Sequence, residues 1–232
     1  MYKPLHRSHA RQLGVCYLLY FTFAIWGGLL LRGFVVHGDA AASAQNFARH
    51  EVALRASSGL ELASVALYLA LTTLFYELFR PVSRTLSLAA TLLSVTGCSI
   101  QALSDVFLVP FQTLASSRVG VGTGESTLVK QTLLEIHAQA ISDSLILFGG
   151  FDLVIGILIL RSCLFPQIFG VLIALAGVGW LVHLWPPIAA RLSHVVQTLG
   201  FLSEAVFMIW LLARGVDEER WRALAGPDTM QS

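Results

Sequence analysis

Six stretches of the chain are apolar over close to the ~20 residues that cross a ~30 Å hydrocarbon core. They lie near 13–31, 59–79, 86–109, 133–160, 168–185 and 196–213. Their polar and small residues recur at helical spacing, so each stretch predicts a helix. In the second, Ser57, Glu61, Ser64, Tyr68 and Thr72 fall within about a quarter-turn of one another. In the third, Ser87, Thr91, Ser94, Cys98, Gln101 and Asp105 fall within about 80°, with Leu, Ala, Val and Ile on the other faces. Small polar stripes let helices approach and exchange hydrogen bonds in a membrane. Gln101 and Asp105 exceed what packing needs and point to a wet pocket.

The fourth stretch carries Glu135, His137, Asp143 and Asp152. Each such group costs at least ~2.5–3.5 kcal/mol facing lipid, so these are expected to face protein or water. His137, Ser144 and Asp152 share one side of the helix; Glu135, Gln139, Ser142 and Asp143 share the other. Polar on two sides, this helix is expected at the centre. It is also longer than a span requires, so it should tilt or protrude, with a bend at Gly149-Gly150. The fifth has a small-residue seam, Gly170, Ala174 and Gly177, with His183 and Trp185 at its end. On the sixth, Gln197, Gly200, Glu204 and Met208 lie on one side, and Glu204 is about eight residues inside the span. The first has no ionisable group and is expected to pack peripherally.

Between the first two spans a helix over 39–55 is predicted, N-capped by Asp39, with Phe47 and Leu54 on one side. It reads equally as an outer lid at the interface or as an extension of the second span bent at Ser57-Ser58-Gly59. Pro110 should end the third span, and 113–130 should form a polar loop. Its GVGTGES run lacks the spacing and the preceding strand of a phosphate loop. The tail from Gly215 reads as a short charged helix or a solvated end.

Composition supports this reading. Hydrophobic residues make up 56% of the chain and charged ones 12%, with a mean hydropathy of +0.72; soluble domains carry about 25% charged residues. The fold class expected is all-α, a polytopic six-transmembrane-helix bundle with a short outer interfacial helix, in a single domain over 1–232. A net charge of +1 excludes a charge-based argument for nucleic-acid binding. Cys16, Cys98 and Cys163 are too scattered for a disulfide framework or a zinc site, and no HExxH or paired His occurs, so no metal or cofactor is expected. The first span has a longer apolar core than a signal peptide and is read as retained. Of the 15 Lys and Arg residues, nine fall on the side of the termini and six on the other, which favours cytoplasmic termini.

Alternation of the spans puts Glu61, Asp105, His137, Asp143, His183 and Glu204 in one half of the bilayer, with Asp152 deeper. The expectation is an outward-opening polar cavity among the second, third, fourth and sixth helices. Its candidate ligand-binding residues are Glu61, Tyr68, Gln101, Asp105, His137, Asp143, Asp152 and Glu204. Glu204 is expected to face Asp143, Gln101 or a bound molecule.

A set of short motifs runs through nearly the whole chain. It starts with Arg11-Gln12-Leu13-Gly14, Tyr17-Leu18, Gly38-Asp39-Ala40, Ala44, Asn46, Glu51 and Arg55. It continues with Pro81-Val82, Arg84, Phe148-Gly149, Gly156, Arg161-Ser162, Pro166, Gly170-Val171-Leu172 and Ala176-Gly177. It closes with Glu204, Trp210-Leu211-Leu212 and Arg214-Gly215-Val216. Together and in this order they resemble a bacterial six-helix membrane family of unassigned function, the domain-of-unknown-function 4386 family. The resemblance implies a six-helix bundle and no activity. This chain departs from the family in having Phe151, where a His often precedes the position of Asp152.

Three function classes follow. The first is a binding or transport protein of the bacterial inner membrane, taking a small polar, amphipathic or lipid ligand. Six helices without an inverted repeat is not the usual transporter plan, and a homodimer would supply the missing half. The second is a non-catalytic sensor or partner subunit. The third is an intramembrane hydrolase acting on lipid, with Asp105, His137, Asp143, His183 and Glu204 as its chemical groups.

Overall fold

The computed structural model describes residues 7–34, 36, 40–116 and 124–225, and all its regular elements are helices. They are α1 (Arg7–Arg32), α2 (Ala40–Arg49), α3 (Glu51–Phe79), α4 (Arg84–Ser116), α5 (Gly124–Ser162), α6 (Gln167–Trp180), α7 (Pro186–Ala213) and α8 (Glu218–Ala225). A 3-10 turn, Leu181–Leu184, joins α6 to α7. Among the described residues, six stretches are long and apolar enough to cross a membrane: Arg11–Arg32, Val52–Phe79, Arg84–Phe107, Leu128–Ser162, Gln167–Leu184 and Pro186–Ala213. Leu92, Leu175, Val178, Leu202 and Ile209 are exposed; large apolar side chains turned outward suit a helix surrounded by lipid rather than water.

Five helices, α1, α3, α4, α5 and α7, extend beyond the sequence-based boundaries. Helix α4 continues through Pro110 to Ser116. Proline breaks one hydrogen bond of a helix but is tolerated where neighbouring groups take up the released carbonyl. Helix α5 begins at Gly124 and has 39 residues, about 58 Å of helix, so most of the expected polar loop is helical. It runs unbroken past Gly149-Gly150. Helix α3 likewise runs unbroken through Ser57-Ser58-Gly59, and the break before it falls at His50. Helix α2 is therefore a separate element and not a bent extension of the second span. Asp39, the expected cap, lies outside the described residues.

The chain forms two compact units. One comprises the described parts of 1–18, 67–97 and 145–232; the other comprises those of 19–66 and 98–144. In the first, the small-residue seam of α6 lies against α5. A Cβ added at Gly177 would stand 2.7 Å from the Gly149 carbonyl and the Leu153 nitrogen, and one at Gly156 would stand 2.7 Å from the Gly170 carbonyl. Backbone meets backbone here, and no side chain fits between. Gly149 therefore serves close approach, not bending. Beside this seam the rings of Phe75, Phe151, Phe165, Phe169 and Phe207 pack on one another, with Phe75 and Phe207 stacked at 6.4 Å. The C-terminal helix is not a solvated tail. Trp221 is buried, its indole N–H donates to the Leu78 carbonyl at 3.0 Å, and Arg220 donates to the Cys163 carbonyl at 2.8 Å. Trp221 thus satisfies one of the carbonyls that the end of α3 leaves without a helical partner.

In the second unit, Phe47 of α2 and Leu54 of α3 are buried against Leu31, Phe34, Leu133 and Leu134. Ser43 receives the Val36 backbone N–H at 2.9 Å, and His50 stacks on Phe34. Helix α2 is thereby fastened by its apolar face. Ser57 donates to the Gly27 carbonyl at 2.8 Å, tying α3 to α1.

Candidate functional site

In the second unit, Asp105 of α4 has two ionisable neighbours on two other helices, Glu61 of α3 and His137 of α5. Each lies on the face that its helix turns inward. Asp105 and His137 are 6% and 7% exposed, and Glu61 is half-buried. The Glu61 and Asp105 carboxyl groups are electrostatic neighbours. His137 is another electrostatic neighbour of Asp105. Its Nδ1 lies 3.1 Å from the Ser104 carbonyl; a carbonyl only accepts, so Nδ1 is the donor and Nε2 is the ring's remaining hydrogen-bonding atom. The Ser104 hydroxyl turns back to the Gln101 carbonyl at 2.6 Å. Glu61 is backed by α1: a Cβ added at Gly27 would stand 3.2 Å from its Cγ.

One atom of this cluster stands out. Asp105 Oδ1 is enclosed and has no hydrogen-bond partner among the described residues. A buried acceptor without a partner costs about 1–3 kcal/mol, more when charged, and calls for an explanation.

A second polar group lies in the first unit. Tyr17 of α1 donates its hydroxyl to Glu204 Oε2 of α7 at 2.8 Å. Asp152 of α5 is an electrostatic neighbour of Glu204, with Trp180 of α6 beside it. Trp180 reaches it because Gly200 leaves room on α7: a Cβ there would stand 2.6 Å from the indole ring. Tyr17, Asp152 and Glu204 are 3%, 3% and 6% exposed. Tyr68 is buried in the same unit, edge-on to Phe148 and Phe151.

The eight candidates therefore separate. Glu61, Asp105 and His137 come together; Asp152 and Glu204 come together elsewhere, and Tyr68 is walled by aromatic rings. Gln101 is half-buried, above Ser104 on α4. Asp143 belongs to neither group. It is exposed and takes the Gln139 amide at 2.7 Å, while Glu135 takes that of Gln131 at 2.8 Å. The second polar side of α5 thus pairs along its own helix, four residues apart, and faces outward.

Two further expectations are corrected. Glu204 meets Tyr17 and Asp152, not Asp143 or Gln101, and Asp152 is not alone at a greater depth. Helix α7 begins at Pro186, so Glu204 is about 18 residues from that end and about 9, roughly 14 Å, from Ala213. Asp152 is about 10 residues from Ser162, the same depth. The first span is not peripheral, since it supplies Tyr17. The signal was present: Leu13, Tyr17 and Phe21, all buried, recur every four residues, and a buried phenol requires a partner for its hydroxyl. His183, in the 3-10 turn after α6, bonds the Trp180 carbonyl through Nδ1 at 3.1 Å and joins neither group.

Among the described residues, no group of three or more His, Cys, Asp and Glu side chains is arranged to hold a metal ion. A family model described as "Domain of unknown function (DUF4386)" matches residues 13–215. No curated protein and no solved structure matches the chain.

Proposed function

We propose, from the premise that the chain belongs to this membrane family of unknown function, that it binds or moves a small polar or amphipathic molecule at Glu61, Asp105 and His137. The observation that carries this reading is the enclosed Asp105 Oδ1, which meets no donor among the described residues. A purely structural cluster gains stability by closing its hydrogen bonds, as the Thr72–Ser94 pair does at 2.6 Å. A binding cluster keeps an acceptor for its ligand. The charged pair sits toward the 51 end of α3 and the 116 end of α4, so a polar opening on that side of the membrane is part of the proposal. So are cytoplasmic termini, a bacterial cytoplasmic membrane and a homodimer that completes the pathway.

Thermal unfolding of the purified protein in detergent, across a panel of small polar and amphipathic compounds, tests the reading. A ligand that binds only the folded chain raises its stability by about 2.7 kcal/mol at a hundredfold excess over Kd. At least one compound should stabilise the native chain and leave Asp105→Asn unmoved. Equal responses from both would remove the site.

A second reading, a non-catalytic sensor or partner subunit, draws on the other polar group. Tyr17 bonds Glu204, with Asp152 and Trp180 as buried neighbours, as in an internal structural group. Failure of every compound in the panel, with a stable and cooperative fold, would favour it.

A further inference from the structure

We infer that one end of the first unit is a docking surface for anionic phospholipids, their phosphates held by arginines around α8 and at the start of α4. Helices α3, α5 and α7 end here, and α4 begins here. Their apolar spans stop at Phe79, Ser162 and Ala213 and restart at Arg84. Arg80, Arg84, Arg161 and Arg214 therefore stand at the edge of the hydrocarbon, the depth of lipid headgroups. Helix α8 adds Arg220 and Arg222 and is tied across this end. Trp221 donates to the Leu78 carbonyl of α3, and Arg220 donates to the Cys163 carbonyl just past α5.

Helices α4 and α5 set two of the arginines level. A Cβ added at Gly97 would stand 3.0 Å from the Phe148 ring, and one at Gly150 would stand 3.3 Å from Leu93, so these helices pack antiparallel. Arg84 lies as far before Gly97 as Arg161 lies after Phe148, about 20 Å of helix in each. Both are exposed, and neither pairs with an acid among the described residues. The acids at this end with described side chains are Glu77, Asp217 and Glu219, and Asp217 is engaged by Arg220 at 3.2 Å. The surface is therefore basic. A helix dipole favours a cation at a C-terminus, as for Arg161, but opposes one at the start of a helix, where Arg84 stands. A phosphate beside Arg84 relieves that conflict, and a guanidinium takes two phosphate oxygens side by side.

The apolar surface next to these arginines selects a lipid over a free phosphate. Leu88 and Leu92 follow Arg84 at one-turn intervals and are 47% and 59% exposed; Ile157, one turn before Arg161, is 37% exposed. Each arginine thus heads an outward apolar stripe running toward the membrane interior, and a phosphate with acyl chains matches both parts.

The full chain in a non-ionic detergent is titrated with phosphatidylglycerol and with phosphatidylcholine of the same acyl chains, and bound lipid is counted by native mass spectrometry. Glycerol phosphate supplies the phosphate without the chains. Phosphatidylglycerol should bind saturably and more tightly than phosphatidylcholine, and its binding should weaken as salt is added. Arg84→Gln should lower its affinity about fivefold, and the double substitution Arg84→Gln with Arg161→Gln about tenfold or more. Arg191→Gln, near the opposite end of α7, should leave it unchanged.

Equal binding of the two lipids, or a preference for phosphatidylglycerol that survives the double substitution, would overturn the inference. Glycerol phosphate competing as well as the lipid would make this a site for free phosphate and overturn it likewise. An equal loss in Arg191→Gln would mean that net charge alone attracts the lipid, which also overturns it. Should the double variant fail to fold, Arg84→Gln decides, since no bond among the described residues is lost with that side chain. Unchanged affinity for phosphatidylglycerol there would overturn the assignment.

Discussion

Tyr17 and Glu204 show how one hydrogen bond fixes the meaning of an intramembrane acid. Glu204 was conspicuous in the sequence because a short carboxyl side chain within a span cannot reach the interface. Its partner was not conspicuous, since the apolar span it belongs to, 13–31, has no acid, histidine, lysine or arginine. Tyr17→Phe removes the donor and keeps the ring, which meets Phe75 edge-on at 6.2 Å. It should cost about 1–3 kcal/mol in denaturant or thermal unfolding. Glu204→Gln retains an acceptor for the tyrosine and should fold with a loss below about 1.5 kcal/mol. A Tyr17→Phe protein as stable as the native one would show that the bond contributes nothing net. What the sequence concealed here is a depth. The start of α7 lies at Trp185-Pro186-Pro187, where proline opens a helix. Reading the span from 196 put Glu204 in the wrong half.

At the scale of elements, the legible features were those set by local spacing. The buried stripes of α3 and α4, the Phe47–Leu54 face and the Gly170–Ala174–Gly177 seam were read from periodicity, and the folded chain uses each of them. Features set by tertiary contact were not legible. The continuity of α4 through Pro110, the docking of α8 by Trp221 and the outward face of Asp143 each depend on neighbours that no window of sequence contains.

The glycines make a quantitative pair. Gly177→Ala places a methyl within 2.7 Å of backbone atoms of α5, and overpacking of this kind costs about 1–3 kcal/mol. Gly28→Ala meets nothing within 4 Å and should stabilise its helix by about 0.5–1 kcal/mol. Opposite shifts in unfolding temperature check the contrast; equal shifts would mean that α6 does not lie on α5 as described. For α8, Trp221→Ala removes the bond to the Leu78 carbonyl. Limited trypsin digestion should then cut at Arg220 and Arg222 faster than in the native chain, and an unchanged rate would show that the tryptophan does not hold the helix.

For the molecule as a whole, the sequence conveyed the class of protein and the residue types that carry chemistry, but not their grouping. Alternating spans place side chains by depth alone, so six candidates at similar depth read as one cavity. Grouping depends on which faces meet, and Glu61–Asp105–His137 and Tyr17–Asp152–Glu204 are separate constellations in separate units. The first keeps an acceptor without a partner among the described residues, and in the second Tyr17 bonds Glu204. The central claim of the binding proposal is that water reaches the first from one side of the membrane. The most direct measurement is labelling by a membrane-impermeant thiol reagent in a background with Cys16, Cys98 and Cys163 replaced. Single cysteines at Gln101 and Asp105 should react in the folded protein, and cysteines at Asp152 and Glu204 should react only after unfolding. Complete protection at 101 and 105 would contradict the account.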